Sequence, residues 1–493
     1  MKILLFQEMS CCTSFLASVA YNHFYRWLIE PMLKDGQDVE VKTLLPESAY
    51  WHNQKHHNLD NLNIIPVFDN EYLDLFSENL TFGEIEKKIY ENDLSIEEKN
   101  NYKNLIFKKT GSDWKPDIII SHMPPELSGV AILSDIFPDA LAMGTDNGVF
   151  SRPPFMRSLF YAPYSPTGPF MFRYKEEIND FKLSVKQNEI IEELKQSIVK
   201  IVDANTPDQY KEFSKNIRNK FDKVVLLPMY IQRPSREDNV LCFKRVMEKI
   251  PKNIGVIFTS HDDLGYDDLN LKIRMYYQQS YKNLFYYFEE DNLFKSSSLP
   301  FFHQVDAVIN NNTLTGLQAC IWGKKIISME SPNNSAYFSD KIGLDNIEDF
   351  LDTTARNKNR MLYWYLTHYI ILEKRLNDGK WLFKYFQEKL EHFKKNGITF
   401  DFYGQNEDIS ELSQYILNYI KDYYRNSSKP IKNKYQIQIE NLMVELNQAK
   451  VELNQAKEDK YKHLPKSIGL FLSCFIAKKK NRSQFRKKYV KGF

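Results

Sequence analysis

Short apolar runs that break off into polar turns recur along this chain, and their spacing predicts strands alternating with helices. Lys2–Phe6 is the first such run, and a helical stretch follows over about Ser14–Leu33, where Phe15, Val19, Tyr25, Leu28 and Ile29 fall near helical spacing. Gly36 turns the chain into a second strand at Val39–Val41. Residues 50–110 are polar and read as helices and loops. Pro116–His122 is a buried strand ending in polar residues, and Leu141–Gly148 is the next strand and loop. The proline-rich stretch 152–169 cannot form regular helix and is expected to cross a surface near a cleft. Charged helices over 174–220 lead to strands at Lys223–Tyr230 and Asn253–Ser260. Asp306–Met329 then reads as strand (Ala307–Ile309), polar turn (Asn310–Thr315), short helix and strand (Lys325–Met329). Residues 356–425 are aromatic and helical.

This order predicts an α/β protein. At 493 residues the chain is longer than a single core usually grows, so two domains are expected. The copies of Val-Glu-Leu-Asn-Gln-Ala-Lys at 444–450 and 451–457 belong to a heptad seam through Tyr435, Ile439, Leu442, Leu446, Ala449, Leu453 and Ala456, which predicts self-association over 435–456 or a helix docked on the body.

Charge changes the picture at the carboxyl end. Residues 462–493 hold ten Lys or Arg and no Asp or Glu, so a chain of net charge +2 has a body of −8 and a strongly basic tail. Ile468–Ala477 is too short to span a bilayer, but an apolar patch beside Lys478, Lys479, Lys480, Arg482, Arg486, Lys487, Lys488 and Lys491 fits an anionic membrane surface. No nucleic-acid-binding signature accompanies the tail. The five cysteines, Cys11, Cys12, Cys242, Cys320 and Cys474, show no metal-ligand spacing, and their odd number fits a reduced, cytosolic compartment. An acid at Glu8 reads against a signal peptide. The first strand lacks Gly-x-Gly-x-x-Gly, Gly316 and Gly323 are too far apart for a phosphate loop, and His-Glu-x-x-His, Gly-x-Ser-x-Gly and Cys-x-x-Cys are missing.

Asn311, Asn312, Thr313 and Thr315 place hydrogen-bonding side chains where a strand hands over to a helix N-terminus, the place at which open α/β sheets hold anions. Gly316 there removes a side chain that would hold a phosphate off. In the amino-terminal half, Gly144-Thr145-Asp146-Asn147-Gly148 projects Asp146 from a glycine-flanked loop, and Ser121-His122-Met123-Pro124-Pro125-Glu126 closes the preceding strand. Asp146, His122 and Glu126 are alternative general bases.

These segments resemble the GT-B-fold nucleotide-sugar glycosyltransferases, especially bacterial enzymes of capsule and lipopolysaccharide biosynthesis. Asp306–Met329 is similar to their "Asp, apolar strand, Asn/Ser-Thr-x-Gly-x-x-Glu-Ala, apolar strand" pattern, with Gln318 where many carry a ribose-binding Glu. Asp146–Pro153 is similar to an "acid-x-Gly-x-Phe-Ser-Arg-Pro" segment, with Arg152 placed for an acidic sugar or phosphate. Gln37 replaces the His of "Gly-His-x-Val", and Thr259-Ser260-His261 stands where relatives have "Lys-x-His-Pro".

The resemblance implies two Rossmann-like domains facing a cleft. These are an acceptor domain (1–172), a helical linker (173–220), a nucleotide-sugar domain (221–390), helices packing back (391–426), a heptad helix (430–460) and a membrane-surface tail (461–493). It implies a donor site of Tyr230, Arg233, Thr259, His261, Asn311, Asn312, Thr313, Thr315, Gly316 and Gln318, with a glycan or lipid-linked acceptor opposite. No cofactor or metal is expected, since Asp-x-Asp is missing, and the missing Glu-x7-Glu points to inversion. Work on the cytoplasmic face of the cell membrane, as a peripheral protein, is the expected setting. A nucleotide-sugar epimerase of the same fold and a non-catalytic GT-B scaffold are the alternatives.

Overall fold

Ile118, Ile119 and Ile120 are all fully buried, as a strand covered on both faces requires. The computed structural model describes residues 1–7, 21–56, 62–76, 80–90, 93–122, 129–150, 153–228, 239–259, 276–286, 298–310, 314–329 and 336–427. In the first sheet, β1 (Lys2–Phe6), β2 (Glu40–Pro46), β3 (Ile64–Val67), β4 (Ile118–His122) and β5 (Leu141–Asn147) run parallel, in the order β3-β2-β1-β4-β5. β6 (Ser158–Pro163) returns antiparallel beside β5, since the connection between them is too short for a crossover.

The second sheet repeats the plan. β7 (Lys223–Pro228), β8 (Ile254–Thr259), β9 (Leu284–Tyr286), β10 (Ala307–Asn310), β11 (Lys325–Ser328) and β12 (Lys341–Ile342) are all parallel, in the order β9-β8-β7-β10-β11-β12. Each sheet therefore reverses strand order once, between β1 and β4 and between β7 and β10. Such an order is doubly wound, and the reversal point is where a crevice opens at the carboxyl ends of the strands.

Strand alternation divides the cores. Ile3, Leu5, Ile118 and Ile120 of the first sheet share one apolar cluster with Val224, Leu226, Val308 and Ile326 of the second. The opposite faces bury Leu4, Phe6 and Ile119 in a separate cluster, and Val225, Leu227, Val256 and Ile309 in a third. Helices Val185–Asn205 and Asp208–Arg218 contribute Ile191, Leu194, Ile198 and Ile217 to the shared cluster. Residues 1–426 accordingly form one compact unit.

Several elements depart from the sequence reading. β3 lies inside the stretch read as helices and loops, and its Pro66 is tolerated because β3 is the sheet edge. The proline-rich stretch contains β6, all six residues of which are buried. Ile370–Leu372, assigned from sequence to the span 221–390, forms β13 and pairs antiparallel with β6 in the first sheet. The return is held by Asp35, which accepts from the Gly379 and Lys380 N–H groups at 2.8 and 3.2 Å, at the start of helix Gly379–Asn396. No described helix is long and apolar enough to cross a membrane. The heptad seam and the tail lie outside the described residues.

Candidate functional site

At the reversal point of the first sheet, β1 and β4 end side by side. Phe6 pairs with Ser121, which sets Gln7 next to His122 one step further on. Alternation puts both side chains on the face of Ile3, Leu5, Ile118 and Ile120. The Gln7 backbone donates to Leu44 O at 3.1 Å, fixing the residue in the sheet, while its side chain is 1% exposed and neither amide atom has a hydrogen-bond partner among the described residues. His122 meets His23 edge-on with ring centroids 5.1 Å apart. His23 lies in the π-helical segment Tyr21–Ile29, is buried, and leaves Nδ1 unpartnered among the described residues. Burial first, then the charges of His122 and Arg157, hold its pKa well below the usual imidazole value, so it is neutral at pH 7. Its ring packs 5.3 Å from Trp27, and the Arg157 guanidinium stacks over that indole at 3.8 Å.

Asp146 is half-buried near the end of β5, in register with Phe160. His122 pairs with Thr145, so alternation turns Asp146 to the other face. The Asn147 N–H donates to its Oδ1 at 2.6 Å. Gly148 is needed for a reason other than ligand approach: a Cβ there would lie 2.5 Å from Ser158 Oγ, and that hydroxyl accepts from the Phe150 N–H at 3.2 Å.

At the reversal point of the second sheet, β10 ends in Asn310, which is fully buried with both side-chain polar atoms unpartnered among the described residues. Helix Leu314–Ile321 begins just beyond it. Gly316 was read as clearing space for a phosphate; in the fold it clears space for Asn310. A Cβ on Gly316 would fall 2.4 Å from Asn310 Nδ2 and 2.6 Å from its Cγ. Gln318, read as a ribose ligand, is buried and donates through Nε2 to Val149 O at 3.2 Å. That bond joins the helix after β10 to the loop after β5. Thr259 closes β8 and shares a hydrogen bond of 2.8 Å with Ser298. Thr315 is half-buried in the first helical turn. Ser121, His122, Asp146 and Thr315 therefore lie at strand ends or helix starts, as their positions in sequence predict.

Glu126, Arg152, Tyr230, Arg233, His261, Asn311, Asn312 and Thr313 lie outside the described residues. Sequence reasoning missed Gln7, His23 and Arg157. Gln7 carried a usable signal, a polar residue directly after an apolar run; His23 is hidden by lying on the apolar side of its helix with Phe24 and Trp27. Among the described residues no group of His, Cys, Asp and Glu has the spacing to hold a metal ion.

No family model matches the chain, and no curated protein matches it. Among solved structures, the chain is similar to the KpsC beta Kdo 2,7 transferase of Thermosulfurimonas dismutans, with 15% identity over 63% of this chain and 97% of that one and a TM-score of 0.35. It is similar to the beta Kdo 2,4 transferase of the same KpsC, with 10% identity, 52% and 81% coverage and a TM-score of 0.33. A third likeness is to the UDP-GlcNAc 2-epimerase of Methanocaldococcus jannaschii in complex with UDP-GlcNAc and UDP, with 14% identity, 73% and 98% coverage and a TM-score of 0.31. At these values the likenesses carry neither activity nor substrate to this chain. Transferases and epimerases are alike among the solved structures to which the chain is similar.

Proposed function

We propose that this chain is a metal-independent, inverting glycosyltransferase that moves a sugar from a nucleotide-sugar donor to a cell-surface glycan acceptor. One observation carries the reading: two doubly wound sheets of the same order share a core, and each ends at its reversal point in a buried polar side chain with no hydrogen-bond partner among the described residues, Gln7 in one and Asn310 in the other. An unpartnered buried amide costs about 1–3 kcal/mol, so its retention at both reversal points supports two binding functions rather than one.

In this reading the donor diphosphate lies against the start of helix Leu314–Ile321, whose first-turn N–H groups face the leaving phosphate. The acceptor lies at the carboxyl edge of the first sheet. Asp146 takes the proton of the attacking hydroxyl, with His122 and Glu126 as the competing candidates, and a metal is not required for either step. The basic tail holds the protein on the anionic inner face of the cell membrane, near a lipid-linked acceptor.

The test is incubation with a panel of nucleotide sugars, with and without oligosaccharide acceptors, following nucleotide release and product mass. Acceptor-dependent release of the nucleotide is the expected result. Interconversion of the nucleotide sugar without any acceptor would assign an epimerase instead, and binding without either reaction would assign a scaffold.

A further inference from the structure

We infer that Gln7, His23 and Arg157 form a binding site for an anionic sugar, with sugar hydroxyls on Gln7 and His23 and the carboxylate or phosphate on Arg157. The inference rests on the reading of the first sheet as the acceptor side, and it names the chemistry of that acceptor.

Three observations converge on it. First, the Gln7 amide can donate two hydrogen bonds and accept two, and among the described residues neither atom has a hydrogen-bond partner. His23 adds Nδ1, likewise unpartnered and buried, and as a neutral imidazole it offers one donor and one acceptor in all. Such groups are suited to hydroxyls, which both give and take protons. Second, Arg157 carries a half-buried guanidinium with no ion pair among the described residues. Glu373 lies close enough to be felt but does not pair with it, and Arg26 adds a like charge nearby. Stacking on Trp27 keeps the guanidinium plane in place, so its N–H edge is pre-set for a planar or tetrahedral oxyanion. Third, His122 and Trp27 link the groups in one continuous row. Gln7 is set beside His122, His122 touches His23, His23 touches Trp27, and Trp27 carries Arg157. Arg157 directly precedes β6, which runs antiparallel to β5, so it lies at the same carboxyl edge as Gln7 and His122.

The experiment is calorimetry of the full chain with glucose, glucuronate and glucose 6-phosphate, without any nucleotide sugar. At least one anionic sugar should bind roughly tenfold or more tightly than glucose, the scale of one added charge-assisted contact. Whether glucuronate or the phosphate binds better distinguishes a carboxylate from a phosphate ligand. Arg157→Gln should erase the preference, and Arg157→Lys should restore part of it. Gln7→Leu should weaken binding while leaving the melting temperature unchanged or raised, because it removes an amide that has no partner in the fold. The inference is overturned if neither anionic sugar binds at millimolar concentration, if glucose binds equally well, or if Arg157→Gln keeps the preference. A Gln7→Leu protein that melts earlier and still binds normally would also overturn it, by making Gln7 structural. Because no donor is present, failure here leaves the transferase reading intact, and absence of turnover would leave the binding result standing.

Discussion

Gly316 and Asn310 offer a quantitative test of how the second sheet meets its helix. Gly316→Ala places a methyl group 2.4 Å from Asn310 Nδ2, about 1 Å inside normal contact, and Asn310 is fully buried with little room to turn. Two effects oppose each other. Alanine is the better helix former by roughly 1 kcal/mol, while forced overpacking costs about 1–3 kcal/mol. The net expectation in the natural background is a loss of up to about 2 kcal/mol. In an Asn310→Ala background the obstacle is gone, so the same Gly316→Ala change should stabilise by up to about 1 kcal/mol. The two backgrounds should therefore differ by about 1–3 kcal/mol, with a reversal of sign. Urea denaturation of the four proteins measures this coupling, and titration with a bound nucleotide sugar shows whether Asn310→Ala also weakens the donor. A coupling below about 0.5 kcal/mol would refute the packing role and return Gly316 to the ligand-clearance role read from sequence.

Asp146→Asn should lower turnover by roughly 10²-fold or more with donor affinity unchanged, as loss of a general base does; full retained activity would pass the role to His122 or Glu126. Lys389 is buried, donates to Tyr403 O and sits 4.9 Å from the Tyr385 ring, and burial pushes its pKa down to about 8. The unfolded chain thus binds the proton more tightly, so stability should rise between pH 8 and about 10.4, on the order of 3 kcal/mol in all. Lys389→Met should flatten that rise in pH-resolved melts, and an unaltered slope would show that Lys389 is not its source. Deleting residues 462–493 removes ten cations, so cosedimentation with anionic liposomes should be lost, as it should be for the full chain at high salt. Undiminished binding by the truncated protein would place the membrane contact elsewhere.

Local patterning determined much of this protein. Continuous apolar runs such as Val224–Leu227 and Ile118–Ile120 can only be strands buried on both faces, and the polar residues ending them mark the carboxyl edge of the sheet. That is why the placement of His122, Asp146 and Thr259 at strand ends and of Thr315 at a helix start was legible. Elements without a local signature were not. β3 carries a proline, β6 sits among prolines, and β13 is three residues in an aromatic helical stretch; each is a strand because an edge was open to receive it. Tertiary structure also decided what individual side chains do. Gly316 answers to Asn310, Gly148 to Ser158 and Gln318 to Val149, all partners brought near by folding. Gln7, His23 and Arg157 lie apart in sequence and come to one edge of one sheet only because β1 and β4 end there and β6 begins there. Periodicity reports which way a side chain faces; what it faces depends on strand order, and strand order is a property of the whole chain.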